Sequence, residues 1–72
     1  MIIVSQSKKC IVNFDSIFGI FAKNNDIYVT FKDNIATILG SYNTKERAVE
    51  IIDGISKCYD QEHVRVVIMP EK

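Results

Sequence analysis

Residues 39–52 read LGSYNTKERAVEII, and this is the most informative stretch of the chain. An apolar segment ends at Gly40, a short polar turn follows, and an amphipathic pattern begins. Asn43 and Thr44 each offer a side-chain oxygen to the free backbone N–H groups of a first helical turn. Glu46 stands three residues after Asn43, as in a capping box. The stretch therefore predicts a strand, a turn and a capped helix, in that order.

The predicted helix covers about residues 45–59. Its apolar side chains recur at steps of three and four residues, which places them on one face of a helix. They are Ala48, Ile51, Ile52, Ile55, Cys58 and Tyr59. Gly54 interrupts this helix and lowers its propensity by about 1 kcal/mol relative to alanine. We interpret Gly54 as a point where a strand or the backbone of a partner comes close.

Short strands are predicted on both sides of the helix. Their ranges are 2–6, 9–14, 17–22, 26–31, 35–39 and 63–69, with a loop at 60–62. The turns at 23–25 and 32–34 are rich in Asn and Asp, which tolerate the positive φ that tight hairpins need. The predicted fold class is α+β. A small antiparallel sheet of five or six short strands carries the helix on one face, a last strand follows the helix, and residues 1–72 form one domain.

Two of the predicted strands are apolar on both faces. The third strand has Ile17 and Phe21 on one face and Phe18 and Ile20 on the other, and the sixth strand is similar. Continuous apolar runs of this kind are typical of strands that are covered on both sides. Either the sheet rolls up on itself, or a second molecule covers the face that the helix leaves free. We expect a homo-oligomer, with an interface formed by Phe18, Ile20, Val67 and Met69.

Composition and charge exclude several classes of function. The 72 residues contain nine Lys and Arg against nine Asp and Glu, so the net charge is zero and no basic stripe for duplex nucleic acid is present. No run approaches the ~20 apolar residues of a membrane span, and the first charges follow a very short apolar run, unlike a signal peptide. Cys10 and Cys58 stand alone, without a C-x-x-C pair. We expect a cytoplasmic protein with reduced thiols. In an oxidising compartment, the alternative is one disulfide between the two cysteines.

The residues that could carry chemistry are few. His63 follows Glu62, but no Ser, Cys or Asp is tied to it by spacing, so we predict no catalytic residue, no metal and no cofactor. Tyr42, Lys45 and Arg47 surround the predicted start of the helix, where free N–H groups and the helix dipole favour an anion. These three are the candidates for binding a small anionic ligand. The alternative is that Asn43 and Thr44 satisfy the N–H groups themselves.

Three segments of the chain resemble a set of small uncharacterised proteins. The segments are SQSKK followed by IVNF at 5–14, LGSYNTKERA at 39–48, and Met69-Pro70. The resembling proteins are carried by low-GC Gram-positive bacteria and by their phages and mobile elements. They share the pattern L-G-x-Y-x-T-x-E-R-A across the strand and the start of the helix. The resemblance implies a phage or mobile-element context and implies no activity.

The function predicted from these observations is binding without catalysis. In a phage context, the leading hypothesis is an inhibitor of a bacterial defence system. It would act either by blocking a host protein or by sequestering a nucleotide signal. The alternative is a structural or regulatory subunit of a host or phage complex.

Overall fold

A computed structural model describes residues 1–61 and 63–72. Its elements are β1 (Ile2–Val4), β2 (Ile11–Asn13), a 3₁₀ turn (Phe14–Ser16), β3 (Gly19–Lys23), β4 (Asp26–Thr30), β5 (Ala36–Ser41), α1 (Lys45–Tyr59) and β6 (Val66–Ile68). The predicted α+β class is confirmed, and the helix has the predicted bounds. Glu62, which the sequence places in the loop after the helix, lies outside the described residues.

The strands divide between two sheets of three. Sheet 1 has the order β2-β1-β6, and sheet 2 has the order β3-β4-β5. The pairings β1–β2, β3–β4 and β4–β5 are antiparallel, as predicted. The pairing β1–β6 is parallel, with Ile3 opposite Val67, because the helix carries the chain back before β6 begins.

Local signals explain the connections around sheet 2 and the start of the helix. Asn24 and Asn34 adopt φ values of 57° and 67° in the turns that join β3 to β4 and β4 to β5. Asparagine tolerates this left-handed conformation better than most residues. Thr44 is the N-cap of α1, where its side chain accepts a hydrogen bond from the Arg47 N–H at 3.1 Å. Of the two predicted capping residues, Thr44 therefore has the role.

One hydrophobic core lies between the two sheets and the helix. Its most buried members are Ile3, Val12, Ile27, Val29, Leu39, Tyr42, Ala48, Ile51, Ile55 and Met69. The sheets also meet directly, since the Gln6 N–H donates to the Leu39 carbonyl at 2.8 Å. Each sheet thus has one side toward the core and one outer side. Several apolar residues on the outer sides stay exposed, among them Phe21 and Ile68, so the residues that the structure describes leave one face of β3 and of β6 open to solvent.

Candidate functional site

Tyr42 lies at the junction between β5 and α1 and is buried, with 6% of its surface exposed. Its hydroxyl donates to the Pro70 carbonyl at 2.8 Å, and its backbone N–H donates to the Asn25 carbonyl at 2.9 Å. The Tyr42 ring lies against Gly40, where an added Cβ would stand 2.9 Å from it. Burial raises the pKa of Tyr42 above its ordinary value, and the positive charge of Arg47 lowers it by a smaller amount. The polar atoms of this predicted ligand residue are therefore already bonded within the chain.

Arg47 binds the segment formed by residues 70–72. Its Nε and Nη2 donate to the Lys72 carbonyl at 3.1 and 3.0 Å, and its Nη1 pairs with the Glu50 carboxylate. Lys45 is exposed in the first turn of α1 and, within residues 1–61 and 63–72, has neither a hydrogen bond nor an ion pair from its side chain. The structure thus brings Tyr42 and Arg47 together around the segment 70–72, and it leaves Lys45 in solvent.

Gln6 is a tie between elements that sequence reasoning missed. Its Oε1 accepts from the Ser41 N–H at 2.8 Å, and its Nε2 donates to the carbonyls of Ser41 and Glu71 at 3.0 and 2.8 Å. One amide side chain therefore fastens the end of β1 to β5 and to the segment 70–72. No sequence signal identifies it, because its partners stand 35 and 65 positions away.

The four predicted interface residues have different environments. Phe18 is 80% exposed, next to the start of β3. Ile20 and Val67 are partly buried and pack against the core. Met69 is 1% exposed and belongs to the core, which corrects its assignment to an interface. The physical reason is that side chains alternate between the two faces in and after β6, and those of Val67 and Met69 face the core.

The side chains of sheet 1 that alternate with its inward-facing residues lie on the outer side of the sheet. They form an exposed apolar surface, which we call the aliphatic face. In the register of the sheet, Val4 lies opposite Ile11 and Ile68, while Ile2 lies opposite Val66. Ile11, Ile68 and Val66 expose 63%, 60% and 50% of their surfaces. Exposed apolar surface that is contiguous, as here, marks interaction sites more often than scattered single residues do.

The outer side of sheet 2 carries a second exposed surface, the aromatic face. Tyr28 lies opposite both Phe21 and Ile38 in the register of the sheet. The Phe21 and Tyr28 rings stack, with centroids 5.6 Å apart and planes inclined by 19°. Phe21 and Ile38 expose 40% and 46% of their surfaces. Aromatic side chains are enriched at the centres of protein interfaces, so this face is suited to a protein contact.

A groove of about 450 Å³ runs between α1 and the edge of β6. Its walls include Gly54 and Ile55 of the helix and Val67 and Ile68 of the strand. A Cβ added at Gly54 would have no neighbour within 4 Å. Among the described residues, no other segment of the chain therefore comes close to Gly54, and the space beside it is open.

The residues that the sequence offers for chemistry are His63, Cys10 and Cys58. His63 is exposed. Glu62, which precedes it in the sequence, lies outside the described residues. Cys10 and Cys58 are both free and partly buried. In the part of the chain that the structure describes, no three His, Cys, Asp or Glu side chains lie close enough together to hold a metal ion. None of the helices described here has both the length and the apolar character needed to cross a membrane.

No protein-family model matches this chain, and no curated protein or solved structure is significantly similar to it. The candidate sites are therefore the two exposed faces and the groove, as defined by their residues.

Proposed function

We propose that this protein acts without catalysis, by binding a bacterial protein through the aromatic face. The observation that carries the proposal is the cluster of Phe21, Tyr28 and Ile38, which lie in register on the outer side of sheet 2. Leaving such a cluster in water is unfavourable by ~25 cal/mol for each Å² of apolar surface. Covering it with a partner recovers that free energy, and stacked aromatic rings make rigid anchors.

The resemblance to phage and mobile-element proteins supports a more specific form of this function. In that form the protein works in the bacterial cytoplasm and blocks a component of a defence system. A surface on the longest strands of the fold suits this role, because β3, β4 and β5 have five, five and six residues and hold the aromatic side chains at fixed spacing. The protein would then inhibit its target by covering it.

Sequestering a nucleotide signal has less support. Of the three residues predicted to hold an anion, Tyr42 and Arg47 donate their side-chain hydrogen bonds to the carbonyls of Pro70 and Lys72. A phosphate would have to displace these bonds or rely on Lys45. Blocking a protein requires no such rearrangement.

A plaque assay tests the proposed function. The protein is expressed in a panel of bacterial strains that each carry one defence system, and the strains are infected with a phage that this system restricts. We expect plaque numbers to recover in at least one strain. The double variant Phe21→Ser/Tyr28→Ser should lose this effect, whereas Ile11→Ser, at an exposed position of the other sheet, should keep it. Circular dichroism confirms that both variants are folded.

Two outcomes would contradict binding through the aromatic face, and a third would contradict only its anti-defence form. If the aromatic variant protects the phage as well as the wild type does, the aromatic face is not the contact. If Lys45→Glu abolishes protection while the aromatic variant keeps it, the protein sequesters an anionic signal. If no strain responds, yet the aromatic face retains one host protein in a stoichiometric complex, the protein is a structural or regulatory subunit.

The proposed function includes self-association. The aliphatic face is separate from the aromatic face, because the two lie on the outer sides of different sheets. A homo-oligomer formed through sheet 1 would leave sheet 2 free for the partner protein.

A further inference from the structure

We infer that the free edge of β6 pairs with β6 of a second copy of this chain, in antiparallel orientation about a two-fold axis near Val67. This inference rests on the self-association included in the proposed function and specifies its interface. The three strands of sheet 1 from each copy would then form one continuous six-stranded sheet, in which the two β6 strands lie at the centre.

The backbone of β6 has hydrogen-bonding groups available for such a pairing. β6 uses alternate residues to bind β1, since the Arg65 carbonyl accepts from the Ile2 N–H and the Met69 N–H donates to the Val4 carbonyl. In a parallel ladder the residues between these bonding positions direct their N–H and C=O groups to the other side. Those residues are Val66 and Ile68. Among the residues that the structure describes, their backbone groups have no hydrogen-bond partner on that side.

The edge is complementary to itself. A two-fold axis at Val67 sets Val66 opposite Ile68 of the second copy, and Ile68 opposite its Val66. In an antiparallel pair, two residues that face each other with their polar groups inward exchange two hydrogen bonds. The pairing therefore satisfies all the outward-facing N–H and C=O groups of Val66 and Ile68 in both copies. A two-fold interface of this kind is also the commonest arrangement in homo-oligomers.

The side chains around the edge favour the same partner. On the outer side of the sheet, Val66 and Ile68 of both copies become neighbours, so the two aliphatic faces merge into one. On the inner side, Val67 of the second copy would lie beside Val67 of the first, which lines the groove together with Gly54. The space at Gly54 is open, because an added Cβ would meet nothing within 4 Å. The groove thus has room for the side chain that the pairing brings there.

Charge and area are consistent with a second copy. The groove is lined by two basic residues, Arg47 and Lys57, and by two acidic residues, Glu50 and Asp53. Because these charges balance, an identical chain meets no net repulsion. A standard interface removes ~800 Å² from each partner, about one sixth of the 5025 Å² surface of this chain. A pairing of three-residue strands is too small to supply this by itself. The groove beside the edge adds contact surface but does not bring the pairing to the standard size, so we expect a small interface and a reversible dimer.

Sedimentation velocity on the full chain tests the inference. Over about a hundredfold range of concentration, the mass of the wild type should rise toward twice the 8.2 kDa of one chain. Val66→Pro removes an outward N–H and leaves the hydrogen bonds to β1 in place, so this variant should stay monomeric. Ile11→Pro is the matched control. Ile11 is a β-branched residue at an outward-facing position of β2, on the opposite edge of the same sheet, and its variant should still dimerise.

A second pair of variants keeps the inference falsifiable if Val66→Pro does not fold. Gly54→Trp fills the groove and should prevent dimerisation, whereas Gly54→Ala adds only one methyl group and should not. A wild type that remains at 8.2 kDa throughout would overturn the inference, as would equal dimerisation of Val66→Pro and Ile11→Pro. The plaque assay is a separate readout. If the wild type is a monomer and still protects the phage, the dimer is ruled out and the aromatic contact is retained. If the wild type is a dimer and gives no protection, the dimer is retained and the proposed function is ruled out.

Discussion

The two sheets of this small domain are built by different means. Sheet 2 is a meander of strands of five or six residues, joined by the turns after Lys23 and Thr30. Sheet 1 has strands of three residues, and its central strand pairs Ile2 with Val66 near the other end of the chain. Sheet 2 is therefore determined by neighbours in sequence. In sheet 1 only the β1–β2 hairpin is local, and β6 joins β1 from residues more than 60 positions away.

Sheet 1 is held in place by side-chain bonds at its border with sheet 2. At the seam between the sheets, the Gln6 side chain binds the backbone of Ser41, and the Tyr42 hydroxyl binds that of Pro70. These bonds hold the segment after β6 against β5. Closing a long loop costs more conformational entropy than closing a hairpin, so sheet 1 depends on such ties more than sheet 2 does.

The largest expected effect tests whether the two sheets contribute equally to the core. Ile3 in β1 and Ile27 in β4 occupy the central strands of sheets 1 and 2, and both are 0% exposed. We expect Ile3→Ala and Ile27→Ala each to lower the free energy of unfolding by about 2–5 kcal/mol, through lost burial and the cavity left behind. Urea denaturation at low protein concentration measures both values.

Isoleucines on the outer sides provide the controls. Ile11 and Ile38 are 63% and 46% exposed in sheets 1 and 2, so their alanine variants should change the free energy of unfolding by less than about 1 kcal/mol. If Ile3→Ala costs no more than Ile11→Ala, sheet 1 is only loosely attached to the core. Sheet 1 would then contribute little to the stability of the hydrophobic core.

The sequence predicts sheet 2 and the helix well because their signals are local. The turn residues Asn24 and Asn34 adopt the positive φ values that their chemistry favours. The periodic apolar stripe and the capping residue Thr44 place α1 at Lys45–Tyr59. The division into two sheets and the parallel pairing of β1 with β6 have no such signal. Short apolar strands can pair in many registers, and the choice depends on tertiary contacts.

The candidate site is less predictable for the same reason. An apolar run such as that of β6 is compatible with either set of alternate residues facing the core. The sequence assigned Val67 and Met69 to an interface, whereas the structure leaves Val66 and Ile68 exposed. Likewise, Tyr42 is polar enough to suggest a ligand site, and only the fold reveals its bond to the Pro70 carbonyl.

Gly40 at the seam and Gly54 in the helix have opposite surroundings. A Cβ at Gly40 would stand 2.9 Å from the Tyr42 ring, so Gly40→Ala must displace this ring and should destabilise the protein by about 1–3 kcal/mol. A Cβ at Gly54 meets nothing within 4 Å, so Gly54→Ala should stabilise the protein by about 0.5–1 kcal/mol through its higher helix propensity. Thermal unfolding of both variants gives the signs. Equal effects of the two substitutions would show that the Tyr42 ring adjusts freely and that the seam is not tightly packed.

An effect of similar size is expected at the hydroxyl that joins the seam to the segment 70–72. Tyr42→Phe keeps the ring and removes its hydrogen bond to the Pro70 carbonyl, which should cost about 1 kcal/mol at neutral pH. Burial raises the pKa of Tyr42 above its unfolded value of 10.0. The contribution of this group is therefore fully present below the unfolded pKa and is lost as the pH rises through the folded-state pKa. The difference in unfolding free energy between wild type and Tyr42→Phe, measured by urea denaturation, should shrink as the solution passes to pH values above about 10. All other side chains are the same in both proteins, so their effects cancel in this difference. A difference that stays constant through the alkaline range would mean that the Tyr42 hydroxyl reaches solvent and that the seam opens there.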